Sequence, residues 1–512
     1  MEIEINGVTY KQEPGANLSD ADLTGANLSN ADLSNADLTG ADLTGAKLSN
    51  ANLNSSNLTG VNLTGVDLTD AWLAGLTSGS LSVTENPFNH LNPSLVLPSN
   101  YVLTYGYIFG PNVNLSNADL TDVDLNSSNL TGVNFSNTDL SNADLRFTDL
   151  TGADLSGAKL SNADLTGADL TDVVLTAADL INADLTGTNL RGADLSGSSL
   201  GSADLSNSNL TGADLTGVDL TDADLTAYPP RPSDFFAEEE FIFQEVMGDY
   251  GKTGLESGSV SGNPVLPSNY TLINGYIVGP DVNLTDADLS GADLTGADLS
   301  HADLAGLKSG SVLGNPVLPS NYVLINGYIF GPNVNLSNVD LSNVDLSNVD
   351  LTGLKSVSVS GDPVLPSNYA LINGYIVGPG ANLSGADLTG ADLSNSDLTG
   401  VNLSNADLTG ANLNGSNLTS ANLSNADLSN ADLRDTDLTA AYPIGAKLSN
   451  TDLTGADLSG SSFKSANLSN ANLSNADLSN ADLSNADLAG LTSGSLHKAS
   501  GAGHALPSNY AL

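Results

Sequence analysis

Ala16-Asn17-Leu18-Ser19-Asp20, Ala21-Asp22-Leu23-Thr24-Gly25, Ala26-Asn27-Leu28-Ser29-Asn30: the chain repeats a five-residue word. The frame runs from Leu18 to Leu73 without a slip. It resumes over Leu115–Leu225, Leu284–Leu304, Leu336–Leu351 and Leu383–Leu488. That makes about 66 pentads. Five is neither the helical period of 3.6 nor the strand period of 2. Within a pentad the order is small apolar, Asp/Asn, Leu, Ser/Thr, Gly/Asn. Ala and Leu stand two apart, so in an extended segment they share a face and the polar residues point away. The fifth position tolerates φ > 0 and suits a corner. A short strand plus a corner, repeated, predicts an all-β solenoid cored by Leu and Ala. Gly, Asn, Ser, Thr and Asp disfavour helix at this density.

This pattern resembles the pentapeptide-repeat family, whose motif is Ala, Asp or Asn, Leu and two variable residues. The resemblance implies a right-handed quadrilateral β-helix with four pentads per coil, the central Leu and the preceding Ala facing inward. About 16 coils at ~4.8 Å each imply a rod about 80 Å long. Phe135 and Phe463 fill central slots and read as core. Pro443 fills another and reads as a local bulge.

The interruptions form a second repeat. Leu-Pro-Ser-Asn-Tyr recurs from Leu97, Leu266, Leu318, Leu365 and Leu506. Asn274-Gly275, Asn326-Gly327 and Asn373-Gly374 sit between β-prone runs, a strong hairpin signal. Each interruption reads as a β-arc or hairpin module entering a new stack of coils, with Gly-Pro as its corner. The expected division is pentapeptide blocks at 16–75, 113–227, 282–306, 334–353 and 381–490. Linker modules lie at 76–112, 307–333 and 354–380, an insert with its module at 228–281, and half-modules at 1–15 and 491–512. The insert carries the one helical pattern, around Phe235-Phe236-Ala237-Glu238-Glu239-Glu240-Phe241, with Ser233 or Asp234 as N-cap.

Composition narrows the function. The 512 residues carry 13 Lys+Arg against 59 Asp+Glu, a net charge of −46, and no Cys. Such a balance argues against direct nucleic-acid or anionic-membrane binding. Without Cys there is no disulfide framework and no thiol nucleophile. No apolar run reaches the ~18 residues of a membrane span. The opening Met1-Glu2-Ile3-Glu4-Ile5 does not read as a secretory signal. His90, His301, His497 and His504 lack metal-ligand spacing, and no G-x-S-x-G or phosphate-loop context appears, so neither catalytic residue nor cofactor is expected. Stacked carboxylates repel, which leaves weak Ca²⁺ binding on the acidic columns as one expectation against simple screening by water. Trp72, Phe147, Val174 and Ile181 occupy slots that are otherwise polar and could form a lateral strip.

Two function classes follow. In the first the chain is a non-catalytic structural subunit. Leu506-Pro507-Ser508-Asn509-Tyr510-Ala511-Leu512 repeats the first half of the module, and Ile5-Asn6-Gly7 with Pro14-Gly15-Ala16 repeats its second half. Ile3, Ile5, Asn6, Gly7, Val8 and Tyr10 would therefore join Leu506–Leu512 of another copy, giving a head-to-tail homopolymer, and an extracellular filament is favoured over a cytoplasmic one. In the second, the resemblance implies an acidic mimic of duplex DNA that binds a type II topoisomerase. Against it, those relatives dimerise through a helical C-terminal cap, and no helical pattern ends this sequence.

Overall fold

A computed structural model describes residues 2–5, 8–11, 13–82, 95–226, 254–258 and 260–493. The expected helical insert around Phe235 lies outside them, as do Asn6, Gly7, His90, His497, His504 and the segment 494–512. No helix occurs among the described residues, and so none is long and apolar enough to cross a membrane.

The pentads wind into a β-helix. Parallel bridges join residues twenty apart: Asn17↔Asp37↔Asn57 on one ladder, Asp22↔Asp42↔Asn62 on the next. Twenty residues are four pentads, so four ladders arise per turn of chain. Leu18 N–H donates to Asp37 C=O at 2.7 Å, and Asp37 N–H donates back to Ala16 C=O at 2.9 Å. Between ladders the chain turns through Thr24-Gly25, closed by Ala26 N–H to Leu23 C=O at 3.0 Å, with Gly25 at φ +67°. Asn fills the same left-handed slot at many corners, for example Asn30 at φ +60°. The core is the column of central Leu with Ala or Val beside it, nearly all without solvent contact. Each such Leu contributes about 1.5–3 kcal/mol relative to exposure.

Pro443 produces no bulge. Tyr442 keeps its bridge to Asn422, Pro443 is buried in the Leu slot, and Ala446 N–H still closes the turn on Pro443 C=O at 3.2 Å. The ring fits the fixed φ of a strand, and the ladder forfeits only the N–H that proline lacks.

Four short hairpins interrupt the coils: β3 (Val102–Thr104) with β4 (Tyr107–Phe109), β5 (Thr271–Ile273) with β6 (Tyr276–Val278), β7 (Val323–Ile325) with β8 (Tyr328–Phe330), and β9 (Ala370–Ile372) with β10 (Tyr375–Val377). All are antiparallel. Three turn on the expected Asn-Gly. The first turns on Tyr105-Gly106, both left-handed, which the Asn-Gly signal could not find. A fifth hairpin pairs β1 (Glu2–Ile5) with β2 (Val8–Lys11).

The chain forms two compact units, residues 1–283 with 301–303, and residues 284–300 with 304–512. Within each, a module does not start the solenoid afresh. One ladder runs through it, Asn57↔Thr77↔Asn114 in the first unit and Asn335↔Lys355↔Asn382 in the second, so a module is one enlarged coil. Neighbouring ladders stop there, at Val96 on Asp67 and at Val364 on Asp345.

Candidate functional site

The recurrent module is the most specifically built feature outside the coils. Its parts are bound in the same way four times. The Ser after the ladder residue is buried and accepts from the middle N–H of the second hairpin strand. Ile108 N–H donates to Ser78 Oγ at 3.1 Å, and Ile277, Ile329 and Ile376 donate to Ser257, Ser309 and Ser356 at 2.8 Å each. The Tyr of Leu-Pro-Ser-Asn-Tyr donates its hydroxyl to a Pro carbonyl ten residues on: Tyr101 to Pro111 at 3.0 Å, Tyr270 to Pro280 at 3.2 Å, Tyr322 to Pro332 at 3.0 Å and Tyr369 to Pro379 at 2.7 Å. Its ring covers the preceding glycine so closely that a Cβ on Gly331 or Gly378 would collide with it. Gly-Pro is thus a seat for tyrosine as well as a corner. Burial raises the Tyr101 and Tyr369 hydroxyls above the ordinary value, so both stay protonated donors.

Of the residues expected to mediate assembly, Ile3 and Ile5 lie on β1, Val8 and Tyr10 on β2, in the register Ile3↔Tyr10 and Ile5↔Val8. Asn6 and Gly7, and Leu506, Pro507, Ser508, Asn509, Tyr510, Ala511 and Leu512, lie outside the described residues.

Coils of twenty residues, with Leu, or at a few positions Phe or Pro, buried at the centre of each pentad, are a family signature. The pattern described as pentapeptide repeats matches residues 16–75, 112–146, 153–226, 281–308, 332–354 and 380–480, well over half of the chain. The chain belongs to the pentapeptide-repeat family. No curated protein matches it. Among solved structures it is similar to a pentapeptide repeat protein of the Arabidopsis thaliana thylakoid lumen, 38% identical over 19% of this chain and 66% of that one, TM-score 0.18. It is also similar to HetL, a pentapeptide repeat protein involved in heterocyst differentiation regulation in the cyanobacterium Nostoc, 20% identical over 75% of this chain and 87% of that one, TM-score 0.17. A third is QnrB1, a plasmid-mediated fluoroquinolone resistance protein, 18% identical over 46% of this chain and 97% of that one, TM-score 0.22. The pentapeptide-repeat matches leave out 76–111, 227–280, 309–331 and 355–379, where the four hairpins that interrupt the coils lie.

The outer face of the pentapeptide repeats is a lattice of Asp and Asn with defined work. Asp37 Oδ1 accepts from Thr39 N–H at 3.0 Å and from the Thr39 hydroxyl. Asp164 and Thr166 do the same, as do Asn134 and Ser136. The motif needs one side-chain oxygen, which Asp and Asn both supply, and that is why the two interchange. The hydroxyl bond lowers the Asp37, Asp219 and Asp482 carboxyls below their ordinary value. One ladder carries Asp at six successive rungs, Asp124, Asp144, Asp164, Asp184, Asp204 and Asp224. Arg146 relieves it at Asp144, 2.7 Å away, and Lys159 and Lys447 bind Asp139 and Asp427 at 3.0 Å on other ladders. Among the described residues no group of three or more His, Asp or Glu is placed to hold a metal ion.

A shallow cleft of about 670 Å³ opens beside the third module, with Lys308 and Lys355 flanking Asn335 on one face and Tyr328 at its side. It brings together two lysines from successive modules, and Ser290 bonded to Asp288 also lines it. Trp72 is 63% exposed, Ile181 40% and Val174 37%, while Phe147 is half-buried. Trp72 and Val174 stand on different ladders, after Asn52 and Asp154, while Phe147 and Ile181 occupy the turns between ladders. His301 Nδ1 lies 3.3 Å from Asp281.

Proposed function

We propose that the chain is a non-catalytic structural protein, a right-handed quadrilateral solenoid whose copies associate head to tail through terminal half-modules. The observation that supports the reading is the module. It recurs four times within the chain, held by the same Ser, Tyr and Gly-Pro contacts each time. Leu506–Leu512 carries the tyrosine half of this device, and Ile3, Ile5, Asn6, Gly7, Val8 and Tyr10 with Pro14-Gly15 carry the hairpin half. This reading pairs Tyr510 of one copy with Pro14 of the next, in the manner of Tyr369 and Pro379 within the chain. Sedimentation and electron microscopy of the full chain test this. Assemblies that shorten in Tyr510→Phe and vanish on deletion of 506–512 are expected. A full-length protein that stays single at high concentration rejects the reading.

The six-rung aspartate ladder favours a second reading, acidic mimicry of duplex DNA toward a type II topoisomerase. Absence of inhibition in a gyrase supercoiling assay at micromolar protein removes it.

A further inference from the structure

One ladder of the second unit offers hydrogen-bond donors on successive rungs without an acceptor between them. Lys308 bridges Asp288, Asn335 N–H donates to Leu307 C=O at 2.9 Å, and Asn335 bridges Lys355. The order along the ladder is therefore Asp288, Lys308, Asn335, Lys355. Elsewhere the rungs carry mostly Asp and Asn. The residue before the buried module serine is Thr77 in the first module and Glu256 in the second, but Lys308 and Lys355 in the third and fourth. The pentapeptide block between those two modules is one coil long, so both lysines flank a single rung. Two rung spacings of ~4.8 Å put their α-carbons about 10 Å apart.

The rung between them is short of an acceptor. In the first module Asn114 Nδ2 donates to Thr77 Oγ1 at 3.2 Å. Lys308 stands in the place of that threonine, and an ammonium accepts nothing. Asn335 is only 9% exposed; its Oδ1 takes Ser337 N–H at 3.1 Å, and its Nδ2 has no partner among the described residues. A buried donor left unpaired is unfavourable unless a bound group supplies the acceptor. The lysines lack one too. Lys159 and Lys447 each hold the Asp one rung away at 3.0 Å, whereas neither Lys308 nor Lys355 forms an ion pair among the described residues. Asp288 is the one carboxylate in the cleft lining, and its Oδ1 accepts from Ser290 N–H at 3.0 Å. Tyr328 lines the same cleft. Its counterpart in the fourth module, Tyr375, accepts from Asp387 N–H at 3.1 Å, while the Tyr328 hydroxyl makes no hydrogen bond among the described residues.

We propose that this cleft binds a small phosphate monoester, with Lys308, Asn335 and Lys355 on the phosphate and Tyr328 beside the organic group. Two ammonium groups and an amide N–H match a group with three terminal oxygens and about two negative charges. A carboxylate offers two oxygens and one charge. The cleft volume of about 670 Å³ falls in the range of small-molecule sites, and a bare phosphate ion would leave most of it unfilled. The chain's net charge of −46 opposes an anion from a distance, but screening beyond ~8 Å at physiological salt leaves the local donors to decide. The inference is independent of head-to-tail association, because every group it uses lies within one chain.

The test titrates the full chain with phenyl phosphate, read by calorimetry and by phosphorus NMR line width. Saturable binding with a Kd of about 1 mM or tighter is expected, with inorganic phosphate and benzoate about tenfold weaker. Lys308→Gln/Lys355→Gln should weaken phenyl phosphate by about tenfold or more. Lys159→Gln/Lys447→Gln removes the same charge from other coils and should keep the wild-type affinity. Asn335→Asp keeps the oxygen that Ser337 needs, loses the Nδ2 donor, and should also weaken binding. Circular dichroism melting checks that each variant is folded. Absence of saturation, equal loss in the two lysine pairs, or inorganic phosphate or benzoate as tight as phenyl phosphate overturns the proposal.

Discussion

At the residue scale the pentad divides its labour sharply. Leu165 is fully buried, and Leu165→Asp should cost about 4 kcal/mol or more, because it removes core contacts and buries an unpaired carboxylate. Thr166, one residue on, is not idle surface. Its N–H and hydroxyl both donate to Asp164, so Thr166→Asp places two carboxylates where one bond stood and should cost about 0.5–1.5 kcal/mol. Chemical denaturation midpoints of the two variants check the ranking. The same bonds set the acid response. The folded Asp37, Asp219 and Asp482 carboxyls lie below the ordinary 3.8, so the folded state binds fewer protons than the unfolded chain in that range. Their contribution is present above pH ~4 and is lost as pH falls through the folded values. Melting temperature at 0.15 M salt, where screening limits the relief of charge repulsion, should drop between pH 5 and pH 2.5.

At the element scale the hairpin module depends on a few contacts with no equivalent in the pentads. Tyr369→Phe removes one hydroxyl donor to Pro379 and should cost about 0.5–1.5 kcal/mol. Gly378→Ala forces a methyl against the Tyr369 ring, and overpacking of this kind costs about 1–3 kcal/mol. Without its hydroxyl tether the ring can give way before the new methyl, so the double variant should cost less than the sum, and a double-mutant cycle on melting measures the coupling. The sequence signal for the hairpins was strong at Asn274-Gly275, Asn326-Gly327 and Asn373-Gly374. It was weak at Tyr105-Gly106, where a tyrosine takes the left-handed turn position at φ +50°. The tyrosine hydroxyl bond was not legible, because Tyr369 and Pro379 are ten residues apart and only the folded hairpin returns one to the other.

At the scale of the molecule, hairpins divide the core into separate clusters. Residues Ala16 to Ile108 share one, and Phe109 begins the next. Solenoid stability is a sum of local terms, so a defect on one side of a hairpin should stay there. Ile376→Asp should speed amide exchange over 334–359 and spare 400–480, and Val377→Asp should do the reverse. Hydrogen exchange read by mass spectrometry checks the pair, and equal loss on both sides would show a single cooperative core.

The sequence by itself determined the β-helix and its inward residues. A period of five, with Leu at the third position of nearly every pentad, buries that leucine by winding the chain into a solenoid whose corners take the Gly and Asn. It also marked the modules, through the recurring string at Leu97, Leu266, Leu318 and Leu365. What only the tertiary structure decided is how distant residues meet. Lys308 and Lys355 reach one cleft because a module is a single enlarged coil. Ile376 and Val377, adjacent in sequence, enter different cores because a strand alternates its faces and each face has its own stack to cover. Such facts depend on which coil lies beside which, and a local pattern of five residues carries no record of its neighbours twenty residues away.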